Sequence, residues 1–223
     1  MDTAKRYGSE KIGKLLLQLA PPVMLAQLIQ ALYNIVDSLF VGRYSASGLT
    51  ALSIIYPVQL LMIALGVDTG VGLNTLMARQ VGLGEEKSAR ECAGVAAPVG
   101  AALWLIFAVA GYLAMPAYAH MSTKDPQVIA DVISYGRIVC VFSLGLFLES
   151  MWTKVLQAEG DMKTPMFAQN AGAALNILLD PVLIFGLGGL PEMSIAGAAA
   201  ATVAGQVLAA LLVMKRACAK APG

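Results

Sequence analysis

Long apolar blocks, separated by short polar or Gly- and Pro-marked breaks, run along this chain from end to end. A helix needs about 20 apolar residues to cross a bilayer, and each block reaches that length. The pattern predicts six spanning helices, at about residues 15–42, 51–77, 93–116, 130–153, 166–188 and 194–214. We therefore expect an all-α, polytopic membrane helix bundle in which residues 1–223 form a single six-helix transmembrane lobe.

Composition supports a membrane protein over the alternatives. Hydrophobic residues make up 58% of the chain and charged residues 13%, with a mean hydropathy of +0.72. A soluble domain carries about twice as much charge, and a disordered chain is far less apolar. The net charge of +1 provides no excess of positive charge to attract the phosphates of a nucleic acid. We expect a multi-pass protein of the cell (inner) membrane, in contact with lipid and without a nucleic-acid partner.

The residues needed for metal or enzyme chemistry are missing from the sequence. Three scattered cysteines and the single His120 cannot assemble a metal cluster, and no HExxH motif occurs. An intramembrane enzyme is therefore the least favoured class. We expect no enzyme activity, no cofactor and no metal beyond a possible Na⁺ ion.

The distribution of basic residues predicts the orientation of the bundle. With a cytoplasmic N-terminus, twelve Lys and Arg residues fall on the cytoplasmic side and three on the other. The three are Arg43, Lys124 and Arg137; the twelve are Lys5, Arg6, Lys11, Lys14, Arg79, Lys87, Arg90, Lys154, Lys163, Lys215, Arg216 and Lys220. An even number of spans then places both termini in the cytoplasm.

Aromatic and small residues complete this frame. Five tyrosines predict an interfacial belt at the outer boundary, namely Tyr44, Tyr56, Tyr112, Tyr118 and Tyr135. Helices in lipid associate through close packing of small residues. Gly197, Ala201 and Gly205 recur every four residues on the sixth span, and Gly66 and Gly70 do so on the second. These stripes predict helix contacts within one bundle.

Asp180, in the fifth span, is the best-placed candidate for chemistry. A carboxylate in hydrocarbon costs at least about 3 kcal/mol, so an intramembrane Asp indicates a functional site by default. Asn176 lies one turn earlier on the same face. Pro181 predicts a kink that frees the carbonyl group of Ile177. Together these oxygens suit a cation or a proton, although Asp180 could instead serve polar neighbours at the kink.

Two more residues reach a similar depth toward the outer side. Asp37 lies late in the first span, and Thr202 lies about 12 Å into the sixth. We predict that both join Asn176 and Asp180 in one cation- or proton-binding site. The alternative for Asp37 is an interfacial residue paired with Arg43.

The remaining charged residues within the predicted spans suggest other roles. Asp68 lies between Gly66 and Gly70, and Glu149 lies close enough to the inner boundary to pair with Lys154 or to reach water. We expect both acidic residues to be structural or gating rather than ligands. Near the outer end of the fourth span, Arg137 is expected to pair with Asp131 or to reach the interface.

Several segments resemble the multidrug and toxic compound extrusion (MATE) transporters. PPVMLAQLIQALYNIVDSLFVG at residues 21–42 is similar to the first helix of that family, and GVGLNTLMARQVGLGEEKSA at 70–89 to its second helix and inner loop. QAEGDMKTPMFAQNAGAALNILLDPVLIFGLGG at 157–189 and IAGAAAATVAGQ at 195–206 look like its fourth-to-sixth helix region. By this likeness Asp37, Asn176, Asp180 and Thr202 correspond to the cation site of the amino-terminal lobe.

The resemblance implies secondary active efflux of cationic or lipophilic compounds by Na⁺ or H⁺ antiport. The family normally has two six-helix lobes, and this chain resembles the amino-terminal lobe only. A half-length transporter could pair with a second copy as a homodimer, or with a separate second lobe. The other readings are a truncated or split lobe that acts only as a membrane scaffold or partner-binding half, and a lipid-linked-sugar exporter of related fold.

Overall fold

The computed structural model describes residues 12–186 and 191–220, and these residues form helices without any strand. We number the helices in chain order. They are α1 (Ile12–Tyr44), α2 (Ala46–Leu83), α3 (Glu86–Gly94), α4 (Ala96–Ser122), α5 (Pro126–Val141), α6 (Leu144–Ala158), α7 (Lys163–Ile184) and α8 (Ser194–Lys220).

The helices confirm an all-α membrane bundle. Five of them, with α3 and α4 taken together, are long and apolar enough to cross a membrane, and the bent pair α5 and α6 can form a sixth span. The predicted fifth span, 166–188, extends too far, because α7 ends at Ile184. Residues 187 and 188 lie outside the described residues, as do Lys5, Arg6 and Lys11. The cytoplasmic location of both termini stays a prediction.

The predicted fourth span is not one straight helix. Residues 130–153 lie on α5 and α6, which meet at a bend of 44°. No proline marks the break, which falls at Phe142 and Ser143. The Ser143 hydroxyl donates to the carbonyl oxygen of Cys140 at 2.7 Å, so a side chain satisfies a carbonyl at the end of α5. Just beyond, a Cβ on Gly145 would come within 2.9 Å of the Val207 backbone nitrogen, so α8 packs against the bend.

A left-handed glycine ends the second span. Gly84 has φ 77°, and its N–H donates to the carbonyl groups of Gln80 and Val81. A residue with a side chain is strained at this φ, so glycine is the natural end of such a helix. The turn separates α2 from α3 and turns the chain back toward α4.

A close contact between backbones joins α7 to α8. A Cβ on Gly172 would lie 2.5 Å from the carbonyl oxygen of Gly205, and a Cβ on Gly205 would lie 2.6 Å from that of Gly172. One end of the same interface has Gly197 against the backbone of Leu183, where a Cβ would meet the carbonyl carbon at 2.7 Å. The predicted stripe on the sixth span therefore packs directly against the fifth.

The second predicted stripe packs α2 against α6. Gly66 faces the Phe147 ring, and Gly70 faces Ser150 and the stem of Lys154. Beside this contact lies the main hydrophobic core, in which Ile55, Met62, Tyr135 and Phe147 are almost fully buried. Helix α1 is far less covered, because only 11% of its apolar window is buried against 50% for α8. The core thus lies mainly on α2, α4, α5, α6 and α8, with Ile184 of α7 also in it, and α1 packs at its edge and contributes Val41.

The glycine contact predicts a test of packing. Gly205→Ala should destabilise the bundle by about 1–3 kcal/mol, because the added methyl group overlaps the Gly172 carbonyl and forces α7 and α8 apart. The thermal unfolding midpoint of the purified protein in detergent measures the effect. Gly72→Ala is the matched control, since a Cβ there meets nothing within 4 Å. Equal midpoints for the two variants would contradict the close approach.

Candidate functional site

The four residues predicted to bind a cation are all buried in the bundle. Asp37 is 6% exposed, Asn176 2%, Asp180 0% and Thr202 7%. Half of the buried polar side chains in the described part of the chain belong to this set; the others are Asp131, Ser143, Ser150 and Thr153. The structure therefore brings the quartet into the interior, where polar groups need partners.

Helix α7 supplies the centre of the site. Asn176 and Asp180 lie one turn apart on its buried face. The glycine contact with α8 holds Thr202, three residues before Gly205, at the height of Asn176. Asp37 comes from α1, which packs along α7. Three helices thus meet at one polar cluster.

Asn176 joins the other α7 and α8 members of the cluster. Its Nδ2 atom lies 3.4 Å from Asp180 Oδ1 and 3.4 Å from Thr202 Oγ1, and donates to both. These are long hydrogen bonds, so they hold the side chains loosely. The Asp37 and Asp180 carboxyl groups lie close enough to interact electrostatically. The predicted alternative, a pair between Asp37 and Arg43, does not form: Asp37 faces inward and Arg43 is exposed.

Three buried oxygen atoms of the cluster have no hydrogen-bond partner. They are Asp37 Oδ1, Asn176 Oδ1 and Asp180 Oδ2. Two facing carboxylates repel each other, and the cost rises in an apolar interior. A shared proton or a small cation would relieve that cost, and oxygen ligands suit a hard cation. In the described part of the chain, no group of three His, Cys, Asp or Glu side chains is arranged to hold a metal ion. A cation here would therefore use amide and hydroxyl oxygens as well as carboxylates.

Tyr135 is part of this site and not of the aromatic belt. Tyr135 cannot face the lipid headgroups as a belt residue does, because it is 1% exposed inside the bundle. Its hydroxyl accepts from Gln59 Nε2 at 3.3 Å and contacts Thr202. Both belt tyrosines and buried tyrosines occur near the end of a span. The sequence alone therefore does not distinguish the two kinds. Tyr56 and Tyr112 are exposed, as a belt requires.

Two neighbouring cavities adjoin the cluster. The first, which we call the Asp37 cavity, measures about 320 Å³ and includes Asn34, Asp37, Gln59 and Tyr135 in its wall. The second, which we call the Glu149 cavity, measures about 80 Å³ and includes Gln30, Glu149, Gln169 and Asn176. Both share a wall made of Tyr33, Ile63, Leu146, Thr202 and Gln206. The sequence analysis did not single out Tyr33 or these glutamines, because a polar residue in a span shows its direction only once the helix rotation is known.

The other predicted residues lie outside the quartet. Pro181 is in the last turn of α7, where Phe185 N–H donates to its carbonyl oxygen at 3.3 Å, and the kink at this proline stays a prediction. Asp68 is exposed, on the opposite side of α2 from the buried Gly66 and Gly70. A structural or gating role for Asp68 and Glu149 likewise stays a prediction.

Two predicted ion pairs are wrong. Arg137 does not pair with Asp131: its guanidinium stacks 4.5 Å from the centre of the Tyr112 ring, and its Nε donates to the Tyr112 carbonyl oxygen. Asp131 instead accepts from the Ser47 hydroxyl at 2.8 Å. Glu149 does not pair with Lys154, whose Nζ donates to Gln157 at 3.1 Å. Each of these charged groups interacts instead with an uncharged group on a neighbouring turn or helix.

Comparison with known proteins identifies the fold. The MatE family model matches residues 22–182, well over half of the chain. The chain belongs to the MatE family. It is similar to the probable multidrug resistance protein YoeA of Bacillus subtilis, at 28% identity over 86% of this chain and 42% of that protein. It is also similar to an FAD transporter of Shewanella oneidensis, at 26% identity over 89% of this chain and 44% of that protein.

Solved MATE structures show the same helix arrangement. One is an outward-facing multidrug resistance MATE family transporter, with a TM-score of 0.83 at 26% identity. The match covers 90% of this chain and 44% of that transporter. This chain therefore spans less than half the length of the relatives it matches. MatE proteins are carriers, and nothing in these comparisons points to catalysis.

The facing carboxyl groups predict an unusual effect on stability. In sodium-free alkaline buffer, Asp37→Asn should raise the thermal midpoint above that of the wild type. The amide removes one of two facing charges and can donate to Asp180, and each kcal/mol gained raises the midpoint by about 2–4 °C. Thermal unfolding in choline chloride tests this. Asp125→Asn, at the exposed start of α5, is the control and should leave the midpoint nearly unchanged, because an asparagine oxygen can still accept from the Gln127 N–H and cap the helix. A lower midpoint for Asp37→Asn would contradict the facing pair.

Proposed function

We propose that this MatE chain takes part in secondary active efflux, in which a small lipophilic or cationic compound leaves as Na⁺ or H⁺ enters. The observation that carries the proposal is the buried pair Asp37 and Asp180, with an unpartnered oxygen on each side chain. Burying two carboxyl groups in an apolar bundle costs free energy when no lysine or arginine of the described residues pairs with them. Such a cost is expected at a site that must bind and release a cation.

The coupling ion would bind within the quartet. A proton would be shared by the two carboxyl groups, whereas Na⁺ would also use the oxygens of Asn176 and Thr202. Asp37 belongs to the wall of the Asp37 cavity, so an ion bound beside it changes the charge that a compound in that cavity meets. Ion and compound can then favour different states of the bundle, which antiport requires.

The substrate and the assembly are the open parts of the proposal. The relatives differ in cargo, since one is named for multidrug resistance and another for FAD. Because the match covers less than half of each relative, we propose that a second lobe completes the transport unit, supplied by a second copy of this chain or by a separate protein. A second copy needs no inversion, because both halves of a parallel repeat share one orientation.

Reconstituted vesicles test the coupling. The 223-residue protein is inserted into vesicles, a Na⁺ or H⁺ gradient is imposed, and movement of the fluorescent cation ethidium is followed. Asp180→Asn should lower the gradient-driven rate at least about tenfold, because the amide cannot release a proton or neutralise a cation. Thr202→Val separates the ions: it should impair Na⁺-driven movement and spare H⁺-driven movement.

The matched control is Glu91→Gln, which neutralises an exposed acidic side chain on α3 away from both cavities. It should transport as the wild type does. Ion-driven movement that survives in Asp180→Asn would remove the site assignment. A folded wild-type chain that moves no ethidium under either gradient would contradict transport by this chain alone and favour the scaffold function.

A further inference from the structure

The fourth span is broken at a place where its sequence permits a continuous helix. Helices α5 and α6 meet at 44°, and no proline lies between Cys140 and Phe147. In a continuous helix, the N–H groups of Leu144 and Gly145 would donate to the carbonyl oxygens of Cys140 and Val141. Since the backbone donors are present, another interaction must keep the span broken.

Side chains supply the donors for both carbonyl groups at the break. Trp104 on α4 donates its indole N–H to the Val141 carbonyl oxygen at 2.8 Å. The Ser143 hydroxyl donates to that of Cys140 at 2.7 Å. A carbonyl without a donor is costly inside a membrane, and a side chain that replaces the backbone donor stabilises a kink. Two side-chain donors thus compete with the backbone donors of a straight helix, and the Trp104 donor comes from a neighbouring helix.

Helix α4 contacts both sides of the break. A Cβ on Gly111 would overlap the Cys140 side chain of α5, so the two helices are in close contact there. Phe107 stacks on Phe147 of α6, with the ring centres 5.5 Å apart. Trp104 lies three residues before Phe107, and its hydrogen bond joins α4 to the end of α5. Helix α4 therefore braces the angle between α5 and α6.

The break lies beside the polar cluster. On α5, the Tyr135 hydroxyl contacts Thr202 of α8. On α6, a Cβ on Gly145 would meet the backbone nitrogen of Val207 at 2.9 Å, five residues after Thr202. The next residue, Leu146, belongs to the wall that the two cavities share. A change in the angle between α5 and α6 would therefore move Tyr135 and Leu146 relative to α8.

We propose that Trp104 is a positioning residue for the coupling site: its hydrogen bond to Val141 keeps the fourth span broken, and the break places Tyr135 against Thr202. The proposal rests on the efflux function above, which makes this cluster a coupling site. Trp104 lines neither cavity, so it acts through the angle between α5 and α6. Without the indole N–H, the Val141 carbonyl would take the backbone donor of Gly145 and the span would straighten.

A double-mutant cycle tests this action at a distance. Trp104→Phe removes the indole N–H and keeps an aromatic ring, and Tyr135→Phe removes the hydroxyl. Alone, Tyr135→Phe should lower the thermal midpoint in detergent by about 2–4 °C, because Gln59 loses its acceptor. Combined with Trp104→Phe, it should lower the midpoint by less than about half as much, because the hydroxyl has already left its partners. Additive midpoints would overturn the proposal.

The other tryptophan of the chain is the matched control. The Trp152 indole nitrogen is buried and has no hydrogen-bond partner in the described structure. Trp152→Phe therefore removes the same atoms without breaking a hydrogen bond, and its effect should add to that of Tyr135→Phe. Coupling of equal size in both tryptophan variants would reduce the role of Trp104 to packing and overturn the proposal.

The ion response is a second readout, which a loss of packing alone would not move. In the vesicle assay, Trp104→Phe should raise the ion concentration for half-maximal ethidium movement at least about threefold and lower the maximal rate less than about twofold. Trp152→Phe should match the wild type. A lower maximal rate in Trp104→Phe at an unchanged half-maximal concentration would contradict a role in positioning the site.

A second variant covers the case in which Trp104→Phe does not elute as a folded protein on size exclusion. Ser143→Ala removes the other side-chain donor at the break and should show the same coupling to Tyr135→Phe. Additive midpoints for that pair would likewise overturn the proposal.

The two proposals fail independently. A wild-type chain that moves no ethidium contradicts transport by this chain, and the cycle in detergent still decides whether Trp104 positions Tyr135. Conversely, additive midpoints remove the role of Trp104, and Asp180→Asn in vesicles still tests the coupling site.

Discussion

The backbone contact between Gly172 and Gly205 is the constraint on which the rest of the structure depends. Without side chains at these two positions, α7 and α8 approach until the carbonyl of one lies where the Cβ of the other would be. Asn176 comes one turn after Gly172, and Thr202 comes one turn before Gly205. The hydrogen bond between Asn176 and Thr202 therefore exists because the backbones touch. A methyl group at the contact would widen the site as well as the interface.

The two buried carboxyl groups, which cost the most free energy to bury, lie where a well-packed helix meets a poorly packed one. Asp180 is on α7, which is fastened to α8, whereas Asp37 is on α1, the span with the least buried surface. A segment with few buried contacts moves at a low free-energy cost. A proton or cation held between Asp37 and Asp180 would add the interaction that α1 otherwise lacks. Loading of the proposed site and docking of α1 would thus be linked by one pair of side chains.

The features that the sequence predicted well depend on distance along a single helix and on the cost of burying charge. Asn176 and Asp180 could be predicted to lie together because residues four apart share one face of a helix. Asp37 could be predicted as a candidate because burying a carboxylate in an apolar span costs free energy. Contacts between helices were predicted poorly, because they depend on how each helix is rotated. The pairing of Arg137 with Tyr112 and the burial of Tyr135 belong to that class. The bend at Ser143 was missed because the break itself, at Phe142 and Ser143, carries neither glycine nor proline.

Family membership determines the fold, whereas the charge of the compound that binds depends on the side chains that line the cavities. The proposed coupling quartet lies at the meeting point of α1, α7 and α8, and its oxygens would suit a small ion whatever compound is carried. Selection among compounds must come from side chains that face the cavity and are not occupied by the ion. Glu149 lines the smaller cavity, and its hydrogen-bond partner Gln169 lies about two turns of helix from Asn176. Ion binding at the quartet would change the charge on one side of these cavities, and the remaining walls would select the compound.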